Sequence, residues 1–104
     1  MSEGLIYILS NPSFFDGLLK IGMTSGPVEV RAKALQTTGV PAQFKIEYQT
    51  EVHDCGLVEL VVHHRLASCR YRPNREFFSV TLERAISILD EVASAGEHPE
   101  QLRK

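Results

Sequence analysis

Lys20 interrupts the apolar run LLKIG, and Arg31 stands one turn into SGPVEVRAKALQ, beside that segment's apolar stripe of Val28, Ala32 and Leu35. From that position the Arg31 head can reach a neighbouring strand. Glu59 and His63 are four residues apart in HDCGLVELVVHHRLAS, the spacing of neighbours on one helix face. The stretch CRYRPNREFF carries Arg70, Arg72 and Arg75 just ahead of Glu76. Lys20 with these arginines can form a local basic surface. Such a surface makes phosphate contacts: the arginine fork matches phosphate oxygens, and binding through it weakens steeply with salt.

Taken singly, each of these residues has an ordinary reading. Arg31 is a helix-surface charge that pairs with Glu29 or Glu51, and Lys20 is a snorkelling edge residue that blunts strand pairing. Glu59 and His63 form an i,i+4 helix pair, Glu76 an edge carboxylate paired with Arg75 or Arg72, and Tyr7 a core aromatic with its hydroxyl at the rim. His53, His64 and His98 read as solvated.

The elements that must position these side chains follow from pattern. GLIYILS (4–10) and LLKIGMT (18–24) read as two strands joined by the turn cluster NPSFFDG, an antiparallel hairpin. Tyr7 then shares a face with Leu5 and Leu9, and Lys20 with Leu18 and Gly22. Ser25 or Gly26 caps the next helix, with Pro27 in its first turn and Gly39 past its end. Residues 42–52 alternate, with Phe44, Ile46 and Tyr48 on one face, as a half-buried strand does. Asp54 caps a second helix whose buried face is Val58, Val61, Val62 and Leu66. A short strand over 76–80 follows, with one of Phe77 and Phe78 facing the core and the other under the last helix. Thr81 caps that helix, which buries Leu82, Ala85, Ile86, Leu89 and Val92 and stops at Gly96. The order ββαβαβα predicts an α+β fold: a small mixed or antiparallel sheet flanked by helices, in one domain over 1–96 with a polar tail over 97–104.

Composition narrows the function classes. The chain has 104 residues, 43% of them hydrophobic and 23% charged, with a formal net charge of −2. That balance argues against a dedicated, strongly basic nucleic-acid binder. No apolar stretch approaches a membrane span, and no signal-peptide pattern opens the chain, so a cytoplasmic, non-membrane protein is expected. If the segment between Cys55 and Cys69 is helical, the two lie roughly 20 Å apart, where a disulfide tolerates about 7 Å. Reduced thiols are expected, and no zinc-ligand spacing occurs.

GLIYIL and KIGMT flanking a short hairpin loop, Arg31 in the following helix, Glu59 with His63, and Glu76-Phe77-Phe78 form an ordered set. From about Gly4 to Leu89 this set resembles the GIY-YIG nuclease superfamily, and more closely its compact phage and bacterial Orf-type branch. The resemblance implies a metal-dependent endonuclease-type domain that hydrolyses DNA phosphodiester bonds. It implies that Tyr7 activates the attacking water, that the backbone approaches the site closely at Gly22, and that Arg31 binds the scissile phosphate. Glu76 is then the carboxylate that holds one Mg²⁺ or Mn²⁺, and His63 contacts phosphate or moves a proton. Lys20 stands where many members carry a catalytic tyrosine. It either contacts phosphate or lowers the pKa of Tyr7, whose ordinary value near 10 makes it a poor base. Either the domain cuts with this altered set, or it binds DNA without cutting, with Arg70, Arg72 and Arg75 on the backbone. A third reading is an interaction protein with a remnant site. A homodimer or a targeting partner is expected to supply specificity.

Overall fold

The computed structural model describes residues 3–15, 17–36, 42–71 and 76–95. The two apolar runs pair as the expected antiparallel hairpin, β1 (Gly4–Ser10) and β2 (Leu18–Thr24), with Gly17 at φ +87° supplying the left-handed turn residue. Helix α1 (Val28–Ala34), strand β3 (Lys45–Val52) and helix α2 (Cys55–Arg65) follow, then a short 3₁₀ turn, strand β4 (Phe77–Ser79) and helix α3 (Leu82–Ala95). The sheet order is β3-β1-β2-β4, and every pairing is antiparallel. The fold is therefore α+β, with the expected element order.

Period-2 alternation divides the sheet's side chains between two unequal cores. On one face Ile6, Ile8, Leu19, Ile21 and Phe78 meet Val58 and Val62 of α2, its C-cap Leu66, and Ala85, Leu89 and Val92 of α3. Each fully buried aliphatic or aromatic chain there stabilises the fold by about 1.5–3 kcal/mol. On the other face Tyr7, Leu9, Val28 and Ala32 form a small core under α1, which is only seven residues long. Capping follows the sequence for two helices: Asp54 Oδ1 accepts from the Leu57 amide, and Thr81 Oγ1 accepts from the Arg84 amide.

Several expectations are corrected. Pro27, in extended geometry, is itself the N-cap of α1, without a side-chain cap bond, and the helix ends at Ala34. The alternation of β3 does not run through. Ile8 stands opposite Tyr48 but Leu9 opposite Ile46, so Glu47 is an extra residue, a bulge. The bulge sends Ile46, with Phe44, to the α1 core and Tyr48 to the α2–α3 core, where its hydroxyl donates to Asp90. Lys20 is not on an edge, because β4 pairs outside β2. Phe78 fills the main core, but Phe77 points to the opposite face, against Phe14, not beneath α3. Cys55 and Cys69 are free thiols, as expected. Gly39, Arg72, Arg75, Gly96, His98 and the tail over 97–104 lie outside the described residues.

Candidate functional site

Tyr7 on β1 stands directly opposite Gly22 on β2, and its ring lies across the glycine. A Cβ at position 22 would sit 2.5 Å from the Tyr7 hydroxyl oxygen and 2.8 Å from Cζ. No side chain fits there, so the glycine is what lets the phenol lie flat on the neighbouring strand. The ring is fully buried, and the hydroxyl is buried with no hydrogen-bond partner. An unpaired buried hydroxyl costs about 1–3 kcal/mol.

The group that covers this hydroxyl is Arg31. The exposed α1 arginine brings its guanidinium against the phenol, near enough to bear on its protonation but outside good donor geometry. Burial raises the Tyr7 pKa above its ordinary value of 10.0, Arg31 works against that rise, and the charges of Glu76 and Glu59 reinforce it. The phenol is therefore neutral across the physiological range. The Arg31 pKa is raised in turn, through Tyr7 first and Glu76 last.

Lys20 and Glu76 meet from opposite ends of the chain. Nζ lies 3.0 Å from Glu76 Oε1 in an ion pair whose lysine side chain is 7% exposed and whose glutamate is 42% exposed. The ammonium also lies 5.1 Å from the centroid of the Phe77 ring, a cation–π contact. The Ile21 amide donates to the Glu76 carbonyl, which fixes the chain just before β4. The ordinary partners expected for Glu76, Arg72 and Arg75, lie outside the described residues.

Glu59 and His63 both turn toward β2. Because β4 pairs only with Leu18 to Lys20, the rest of that edge of β2 has no strand neighbour among the described residues. His63 Nε2–H donates to the Ile21 carbonyl at 2.8 Å, with its ring 5.0 Å from that of Phe78. The Met23 amide lies against the Glu59 carboxylate. Side chains of α2 thus finish the edge that β4 leaves short. His63 Nε2 is committed to that bond, which leaves Nδ1 for any contact with phosphate or proton. The family resemblance pairs Glu59 with His63 but assigns it no role. Its carboxylate is half-buried within reach of His63, Glu76 and Lys20, and burial above all raises its pKa. The only sequence trace of this role is the i,i+4 spacing.

Tyr7, Arg31, Lys20, Glu76, Glu59 and His63 therefore share one neighbourhood around β2, although the phenol itself is covered rather than open to solvent. Arg70 stands apart from that group, its guanidinium 5.4 Å from the Phe78 ring on the other side of β4. Among the described residues no three His, Cys, Asp or Glu side chains are placed to hold a metal ion together. The donor set suits neither zinc nor calcium. One half-exposed carboxylate fits a hydrated Mg²⁺ or Mn²⁺ that takes its remaining ligands from water and substrate oxygens. Among the described residues no helix is long and apolar enough to cross a membrane.

Residues 4–93 match the T5orf172 domain family. No curated protein and no solved structure matches the chain.

Two predictions come from this geometry. Gly22→Ala should cost about 1–3 kcal/mol from forced overlap with the phenol. In a Tyr7→Leu background most of that penalty should disappear, a coupling of about 1 kcal/mol or more in urea-unfolding double-mutant cycles. Glu59, whose pKa is raised on folding, favours the folded state below the ordinary carboxylate value of 4.5 and loses that contribution as pH rises through its folded value. Glu59→Gln keeps an acceptor for Met23 and removes the charge. The variant should therefore gain stability relative to the parent as pH is raised from about 4.5 to 7 in thermal melts.

Proposed function

We propose that this chain, which belongs to the T5orf172 domain family, is a metal-dependent, GIY-YIG-type endonuclease domain that hydrolyses DNA phosphodiester bonds. The observation that carries the reading is the Tyr7 hydroxyl: buried, without a partner, seated on a glycine and beside an exposed cation. A fold that needed only a ring at this position would be served as well by phenylalanine. A hydroxyl kept without a partner at a cost in stability suits a group whose partner arrives with the substrate.

The chemistry runs through the chain's own residues. A phosphate arriving at the exposed face draws the Arg31 guanidinium onto its oxygens, where the fixed fork offsets the charge that develops as water attacks phosphorus. That movement opens one side of the Tyr7 hydroxyl. In its neutral form the phenol donates to or orients the attacking water. To take the water's proton the hydroxyl must first ionise, releasing its own proton to solvent; Arg31, which stays between the phenol and the phosphate it grips, favours that phenolate. As the new P–O bond forms, the bond to the sugar oxygen breaks, and that oxygen leaves with a proton from solvent. Glu76 would hold Mg²⁺ or Mn²⁺, which when bound supplies Lewis-acid charge against the phosphate. Lys20 positions the Glu76 carboxylate through their ion pair, and His63 holds β2 in place through Ile21. A second copy or a targeting partner would supply specificity.

A second reading is favoured by the Lys20–Glu76 pair, because an ammonium already neutralises the carboxylate. In that reading the chain binds DNA without cutting it, with Arg70, Arg72 and Arg75 adding backbone contacts to those of the candidate site.

Nicking of supercoiled DNA with Mg²⁺ or Mn²⁺ tests the two. Tyr7→Phe, Arg31→Ala and Glu76→Ala should each lower the rate by about a hundredfold or more, the scale of losing one preorganised transition-state contact. The melting temperature of Tyr7→Phe should stay level or rise, because the unpaired hydroxyl is gone. Nicking by Tyr7→Phe at the parent rate would overturn the catalytic reading. Binding without nicking, weakened by Arg31→Ala and not by Glu76→Ala, would select the second.

A further inference from the structure

We propose that a notch of about 370 Å³, lined by Ser13, Phe14, Phe15, Leu18, Tyr71 and Phe77, receives an unpaired nucleobase, so that this face takes single-stranded or branched DNA in preference to intact duplex. The inference rests on the phosphodiester reading above and deepens it, by naming where the strand beside the reacting phosphate is held.

The notch is assembled from three separate stretches of chain. Phe14 and Phe15 come from the β1–β2 loop, Tyr71 from the segment after the 3₁₀ turn, and Phe77 from β4. Asn11 fixes the loop: its Nδ2–H donates to the Ala42 carbonyl at 2.9 Å, and its Oδ1 accepts from the Ser13 amide at 2.9 Å. The Tyr71 amide donates to the Phe77 carbonyl at 2.7 Å, which fixes the backbone of Tyr71 beside β4. Phe14 meets Phe77 edge to face, with centroids 5.5 Å apart and planes at 82°, and forms the half-buried floor. Phe15 and Tyr71 form the rim. They are 50% and 46% exposed, and their centroids are 5.4 Å apart at a tilt of 58°.

Two large rings exposed side by side add little to folding, and their arrangement offers aromatic surface to a flat partner. The charges around them indicate which partner. Phe77 forms one wall of the notch, and the Lys20 ammonium of the candidate site lies 5.1 Å from its centroid. An aromatic notch that shares its Phe77 wall with the Lys20–Glu76 pair of the proposed phosphodiester site combines rings for bases with a neighbouring place for the backbone phosphate, as single-strand sites do. A duplex keeps its base faces stacked inside and cannot fill such a notch unless a nucleotide is unpaired.

The test measures fluorescence anisotropy of a labelled oligo(dT) and of a blunt duplex of equal length, at matched salt and in EDTA, with the full chain. The parent should bind the single strand about tenfold or more tightly than the duplex. Phe15→Ala and Tyr71→Ala should each weaken single-strand binding by about tenfold, the scale of one stacking contact, with duplex affinity and the salt slope unchanged. Tyr71→Phe should keep the parent affinity. Equal affinity for the two DNAs, or alanine variants that weaken both alike or neither, would overturn the inference and leave the phosphodiester reading standing. A change in sedimentation coefficient in place of a change in single-strand affinity would assign the rings to a second copy of the chain, and would overturn it too. Failure of the parent to bind either DNA would remove both readings together.

Discussion

The close approach of a phenol to a glycine across two strands is the constraint on which the candidate site depends. Tyr7 can lie over β2 only because position 22 carries no side chain, and its hydroxyl is held at a defined point between α1 and the sheet. With any larger residue at 22 the ring would have to rise from the strand, displacing Val28 and Ala32, which pack in the same small core. The hydroxyl reaches that point without finding a hydrogen bond, and the group that bears on it most strongly after burial is the exposed Arg31. A stability cost and a functional opportunity therefore sit on the same atom.

Around this contact β2 acts as the hub. Its one face carries Lys20 and Gly22, and its edge beyond β4 is held by His63 through the Ile21 carbonyl. Its partner β4 delivers Glu76 to Lys20 and Phe77 to the aromatic notch. The larger core, built by α2 and α3, gives the sheet its rigidity. The smaller core under the short helix α1 leaves room beside it. That asymmetry places functional side chains on the thinly covered face while the well-packed face sustains the fold, a division that lets unfavourable local features persist.

Much of this was legible from residue order. The hairpin and the cap residues Asp54 and Thr81 follow from period and turn chemistry, which act over a few residues; the grouping of Tyr7 with the KIG segment came from the family resemblance. What escaped the sequence is nonlocal. The bulge at Glu47 is invisible in a run that alternates cleanly, because a single inserted residue changes which face is buried without changing the pattern. Lys20 reads as an edge lysine until β4, some 57 residues later, closes over the strand. The acceptor for His63 is a backbone carbonyl, which has no residue-type signature, so its tie to β2 could not be anticipated. The Phe15–Tyr71 pair joins residues 56 apart, which only the folded chain brings into contact.

Tyrosine labelled with ¹³C at Cζ gives the most direct test of the claim that the Tyr7 hydroxyl is kept for an arriving phosphate. Its resonance, assigned by its loss in Tyr7→Phe, should report a neutral phenol past pH 10.0 in the free protein. On addition of a short single-stranded DNA it should shift, and the shift should vanish in Arg31→Ala. A Tyr7 resonance that titrates at or below 10.0 in the free protein, or that does not respond to saturating DNA, would contradict the account.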